Sequence, residues 1–200
     1  IYDWANGNLV SSSMGDKAKI LDVLFAPNSV TDFVTCGVKH VKFWSSQGQN
    51  LSGRKGIMGK LGTLQPFPCA AYINSSLLLG AANGSLYLFK ENVVSKAVKA
   101  HEGTVQTCYT TDDLQIVTGG RDGKIKFWDS SLSNTRTIDV KAILGSLSFS
   151  PGIRSCCLNA EKDTVLVGTE GSEIWEISVE ESKVLHGEAD RGPKCDSPLQ

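Results

Sequence analysis

No stretch of this chain approaches the roughly 18 consecutive apolar residues that a membrane-crossing helix needs. The opening Ile1-Tyr-Asp-Trp-Ala-Asn6 lacks the charged and then apolar regions of a secretory leader, so a soluble protein of the cell interior is expected. A surplus of charge is missing too: 20 Lys and Arg meet 21 Asp and Glu, for a formal net charge of −1. Without a global field the chain has no bulk attraction for nucleic acid or an anionic membrane, and neither is expected as a partner. A charged partner would have to be read by a local patch.

Catalytic signatures are equally sparse. The histidines are His40, His101 and His186, and no Gly-x-Ser-x-Gly elbow exists to seat a nucleophile. Acidic neighbours such as Asp112-Asp113 and Glu180-Glu181 read as solvated turn charges, not as an acid and a base working together. The glycine-spaced segment Gly53-Arg-Lys-Gly-Ile-Met-Gly-Lys-Leu-Gly62 is no phosphate loop, because Arg54 stands where the first glycine belongs and Leu61 replaces the required hydroxyl. It reads either as a flexible connection or as a contact loop. Cys36-x-x-x-His40 is half of a metal site without a second pair. Cys36, Cys69, Cys108, Cys156 and Cys157 fall in or beside expected strands and Cys195 in a polar tail, so all six are read as reduced thiols. No enzyme activity, cofactor or metal is expected.

What the chain does have is one pattern four times over: a short apolar strand, a small-residue turn, then alternating apolar residues ending in an aromatic. The copies are Phe33-Val-Thr-Cys-Gly-Val-Lys-His-Val-Lys-Phe-Trp44, Leu78-Leu-Gly-Ala-Ala-Asn-Gly-Ser-Leu-Tyr-Leu-Phe89, Ile116-Val-Thr-Gly-Gly-Arg-Asp-Gly-Lys-Ile-Lys-Phe-Trp128 and Val165-Leu-Val-Gly-Thr-Glu-Gly-Ser-Glu-Ile-Trp-Glu-Ile177. They recur at roughly 40 to 48 residues, the repeat of a four-stranded propeller blade. With 40% hydrophobic and 20% charged residues the chain can fill such a core. The fold class is therefore all-β, a partial β-propeller of about four blades plus a terminal half-blade.

The expected order is the end of a preceding blade over 1–16, a blade over 18–53, and a Gly-rich basic connection over 54–63. Blades follow over 64–99 and 104–140, then a long connection with an extra strand over 141–152, a blade over 153–184 and a disordered tail over 187–200. Closed rings have about four to eight blades, and the opening fragment suggests a ring that continues upstream. The end blades of an isolated piece would then expose apolar residues such as Val165, Val167 and Ile174. Arg54, Lys55 and Lys60 stand close in sequence to Lys39 and Lys42 of the preceding hairpin, which makes these five the candidate partner-binding residues.

The third copy, with Ala100-His-Glu-Gly-Thr104 ahead of it and Phe127-Trp-Asp129 at its end, resembles a WD40 repeat. The resemblance implies a hydrogen-bonded structural network of His101, Thr118, Asp122 and Trp128. At the turn position of Asp122 the other copies carry Lys39, Asn83 and Glu170, a departure that marks an atypical propeller. A closer resemblance rests on Gly37-Val-Lys-His-Val-Lys-Phe-Trp44 and Gly53-Arg-Lys-Gly56, supported by Asp3-Trp4, Lys17-Ala-Lys-Ile20, Val98-Lys-Ala-His101, Val117-Thr-Gly-Gly-Arg-Asp-Gly123, Ile153-Arg154 and Val165-Leu-Val-Gly-Thr169. These look like the propeller of the echinoderm microtubule-associated protein-like family. The resemblance implies a non-enzymatic cytoskeletal protein of the cytoplasm that binds tubulin or microtubules. The alternative is a general protein-interaction scaffold that holds other proteins on its propeller faces.

Overall fold

A computed structural model of the chain describes residues 1–187, and the tail expectation, with Cys195, lies outside them except for Gly187. Among the described residues sixteen strands form four antiparallel sheets, each in simple sequence order. Blade 1 holds β1 (Ile20–Phe25), β2 (Asp32–Gly37), β3 (Val41–Gln47) and β4 (Asn50–Lys55). Blade 2 holds β5 (Cys69–Ile73), β6 (Ser76–Gly80), β7 (Ser85–Lys90) and β8 (Val93–Lys99). Blade 3 holds β9 (Val105–Thr110), β10 (Ile116–Gly120), β11 (Lys124–Trp128) and β12 (Asn134–Asp139). Blade 4 holds β13 (Ile153–Leu158), β14 (Thr164–Thr169), β15 (Ile174–Ser178) and β16 (Val184–Gly187). The first strands of successive blades touch one another, which puts them on the inner side of the array. Among the described residues the array does not close into a ring.

The blades cohere through apolar layers between them. Leu77, Leu78 and Leu79 are all fully buried: Leu77 and Leu79 pack with Val34 and Val41 of blade 1, while Leu78 packs with Val105 and Ile116 of blade 3. Successive residues of a strand face opposite sides, so an unbroken apolar run is what a strand between two neighbours requires. Blade 3 repeats this with Ile116 against blade 2 and Val117 against blade 4.

At the ends of the array the alternation corrects the expected exposure. Val165 and Val167 are completely buried, whereas Leu166 and Ile174 are 46% and 64% exposed. Val167 pairs with Trp175 and Gly168 with Ile174, so the valines share the Trp175 face against blade 3 and Leu166 and Ile174 share the free face. On blade 1 the free face shows Val23 and Phe25, while Leu24 between them packs toward blade 2.

Three connections also differ from expectation. Residues 1–11 form a short hairpin with one bridge between Tyr2 and Leu9 rather than a strand of a sheet. The connection after blade 3 carries a short helix, α1 (Val140–Leu144), and a 3-10 turn at Gly145–Leu147 in place of an extra strand. Its apolar Val140, Ile143 and Leu144 have i, i+3, i+4 spacing, and the Asp139 side chain accepts from the Ala142 amide to cap it. The basic connection begins later than 54, because Arg54 and Lys55 belong to β4. Its remainder is anchored: Ile57 bridges in parallel to Val93, Met58 is buried, and a Cβ on Gly62 would lie 2.4 Å from the Tyr87 ring. At the other end, β16 reaches Gly187 and pairs His186 with Glu176.

Candidate functional site

The polar network sits on the blade 3 face that meets blade 2. The Trp128 indole N–H donates to Thr118 Oγ1 at 2.9 Å, and Thr118 Oγ1 lies 2.8 Å from His101 Nε2. His101 Nδ1 is 2.9 Å from Asp122 Oδ1, and the Asp122 carboxylate also accepts from the Glu102 amide at 2.9 Å and the Lys124 amide at 3.2 Å. A carboxylate can only accept, so Nδ1 donates to it, and the Thr118 hydroxyl, which can donate or accept, pairs with Nε2 whichever of the two carries the hydrogen. Burial pushes the Asp122 carboxyl up, but the hydrogen bond and charge of His101 and the two amides outweigh it and bring the pKa to about 2. The turn itself closes through Gly123 at φ +77°, whose amide donates to Gly120 O.

The other blades also carry polar contacts at this level. In blade 4 the buried Glu173 carboxylate accepts from Ser148, from Thr169 at 2.8 Å and from the Trp175 indole at 3.3 Å. Burial raises its pKa, and these bonds together with the Phe149 amide more than reverse that. In blade 2 the Asn83 amide nitrogen donates to Tyr87 Oη at 3.2 Å, and Gln65 reaches the same oxygen and the Asn83 amide. In blade 1 the Trp44 indole donates to Thr35 at 3.0 Å, with no acidic turn residue behind it. The sequence signal was present as Thr and Trp at the two ends of a hairpin; which acid or amide joined them depended on loops distant in the chain.

The five candidate cations do not form one patch. Lys42 and Lys55 face each other across β3 and β4 on the free side of blade 1, with the Lys42 ammonium 3.6 Å from the Trp44 ring centroid. Lys39 joins them at the hairpin end, around a cavity of about 80 Å³ that His40 and Asp16 also line. Arg54 pairs with Phe43 and points the other way, into a cleft of about 550 Å³ at the boundary of blades 1 and 2. Phe33, Phe43, Trp44 and Tyr72 line that cleft, together with the acidic residues Asp32 and Glu91. Lys60 stands by itself in the exposed turn after Gly59. His40 is 5% exposed, and neither ring nitrogen has a hydrogen-bond partner among the described residues.

Burial pushes the Cys36 and Cys156 thiols well up, Cys156 to about 12, and a hydrogen bond with Cys108 followed by burial does the same for Cys69, so they pack as small apolar groups. Among the described residues no helix is long and apolar enough to cross a membrane.

The fold is shared with solved propellers. The WD40 propeller domain of Doa1 superposes at a TM-score of 0.68 with 14% identity, over 87% of this chain and 55% of that one. A computationally designed protein, Ika8, superposes at 0.69 with 16% identity, over 94% and 54%. Sequence relatives are more specific. Echinoderm microtubule-associated protein-like 4 of Xenopus laevis is 28% identical over 192 residues, covering 87% of this chain and 20% of that protein. Echinoderm microtubule-associated protein-like 2 of Homo sapiens is 29% identical over 184 residues, covering 90% and 27%. The chain thus spans about a fifth to a quarter of the length of these relatives. The family model described as the echinoderm microtubule-associated protein first beta-propeller matches residues 1–177, and this chain belongs to that family.

Proposed function

We propose that this chain is a non-enzymatic propeller segment that binds tubulin or microtubules and contributes to microtubule organisation in the cytoplasm, as part of the cytoskeleton. The observation that carries the reading is the family match over residues 1–177, together with relatives named as microtubule-associated proteins. Sheet faces and hairpin ends offer surface for a protein partner, and neither nucleic acid nor membrane is included. Tubulin is acidic, and attraction by Lys39, Lys42 and Lys55 would be screened over ~8–10 Å at physiological salt, so contact has to be close.

A second reading, a scaffold without tubulin specificity, is favoured by the aromatic cleft between blades 1 and 2, whose mixed charges suit a peptide of no particular sign. Co-sedimentation with microtubules and a pull-down of soluble tubulin separate the two. Binding in either supports the first reading, and binding in neither favours the scaffold. Arg54→Gln, Lys55→Gln and Lys60→Gln together should weaken tubulin binding and flatten its salt dependence. Because Arg54 faces the cleft and Lys55 the free side, the single changes show which side makes the contact. Unaltered affinity at low salt would remove these cations from the interface.

A further inference from the structure

We propose that the hairpin end of blade 1 holds a subsite for a single carboxylate, supplied by an acidic side chain of a partner protein and received by His40, Lys39, Lys42 and Lys55. The proposal rests on the reading of this chain as a protein-binding segment and narrows the chemistry of what it binds.

Three observations converge there. His40 is buried beneath the turn, with Gly37 packed on its ring, yet neither ring nitrogen has a hydrogen-bond partner among the described residues. Buried polar side chains are nearly always paired, so the missing partner asks for an explanation. Its Nδ1 faces the Asp16 carboxylate at 3.9 Å, beyond hydrogen-bond distance.

Lys42 and Lys55 stand directly opposite each other across the β3–β4 ladder. Like charges in that position repel, and none of Lys39, Lys42 and Lys55 has an ion-pair partner among the described residues. An anion between them would remove the repulsion and give His40 its missing partner at the same time.

The cavity these groups line is about 80 Å³. A site of that size has room for a carboxylate group between the lysines. Asp16 at its mouth displays the chemistry preferred there. The Ala18 amide does most to lower its carboxyl pKa, its slight burial opposes this, and His40, Lys55 and Lys42 add to the lowering. Asp16 is about a third exposed and hangs from a segment outside the sheets, so an incoming carboxylate can take its place. Asp16 therefore acts as a resident competitor.

The test titrates the chain with hexa-glutamate, with hexa-glutamine as the neutral control and inorganic phosphate as a third arm, following the His40 imidazole resonances by NMR. Hexa-glutamate should shift them and hexa-glutamine should not. Lys39→Gln and Lys55→Gln lie on the surface and should each weaken binding about twofold to fivefold, while Asp16→Asn should tighten it by a similar factor. Unmoved His40 resonances, or weaker binding by Asp16→Asn, would overturn the subsite and leave His40 and Asp16 as an internal pair. Phosphate binding as tightly as hexa-glutamate would overturn the assignment to a carboxylate. Microtubule co-sedimentation without a His40 response defeats this subsite alone, whereas a His40 response without co-sedimentation defeats only the tubulin reading.

Discussion

Replacing Asp122 with alanine should be among the costliest single polar substitutions in blade 3. The carboxylate accepts from His101 Nδ1 and from the amides of Glu102 and Lys124. The three donors fare differently once it is gone. The Glu102 amide lies at the exposed loop and recovers a water, and the Lys124 amide does so in part. His101 is 1% exposed, so its Nδ1 proton is left without an acceptor. A stranded buried donor costs about 1–3 kcal/mol, and the Lys124 share places the total near the middle of that range. For a chain of this size ~2 kcal/mol lowers the melting temperature by about 4–8 °C. Asp122→Asn should cost less, because Oδ1 still accepts from His101 while the new NH₂ faces the Glu102 amide. Asn83→Ala, at the same turn position in blade 2, should also cost less, since Asn83 is exposed and its partners can be rehydrated. Melting followed by near-ultraviolet circular dichroism, with exchange of the Glu102 amide proton as the local readout, measures all three. Equal melting points for Asp122→Ala and Asn83→Ala, or no change for Asp122→Ala, would show that burial of His101 is not what gives the network its weight.

The same carboxylate predicts an acid dependence: its folded pKa of about 2 lies below the unfolded value, so its contribution is full above ~4 and is lost as pH falls toward 2. The stability gap between the native chain and Asp122→Asn should therefore close over that interval, and a constant gap from pH 5 to pH 2 would refute the assignment. On blade 4, Val167→Ala deletes two buried carbons and should cost about 2 kcal/mol, whereas Leu166→Thr with Ile174→Thr on the free face should reduce self-association in light scattering with little change in melting. The reverse ranking would mean that the two faces have been exchanged. Gly62→Ala should destabilise by about 1–3 kcal/mol because the added methyl meets the Tyr87 ring 2.4 Å away, and a neutral result in denaturant unfolding would show that the connection is loosely held.

The repeated hairpins were legible in the sequence because a strand's two-residue period and a turn's small residues are local properties. Leu77-Leu-Leu79 and Ile116-Val117 lie in such hairpins, and packing between two blades buries both sides of these strands. The His101, Thr118, Asp122 and Trp128 set could be named from one blade's motif for the same reason. The expected boundaries fail at two places: Val140, placed in the blade over 104–140, joins Ile143 and Leu144 of the connection in α1 at helical i, i+3, i+4 spacing, and Arg54 and Lys55, placed in the connection over 54–63, end β4.

Tertiary structure decided everything that turns on which of a strand's two sides meets another blade. Alternation marks Val165 and Val167 apart from Leu166, but only packing against blade 3 makes the valines the buried pair. Proximity across the chain is likewise absent from local pattern. Ser148 reaches Glu173 from a loop 25 residues away, and Asp16, His40 and Lys55 come from three separate segments to line one cavity. Sequence neighbours were pulled apart by the same rule: Arg54 and Lys55 are adjacent, yet the pleat of β4 sends one into the cleft beside blade 2 and the other to the free face of blade 1.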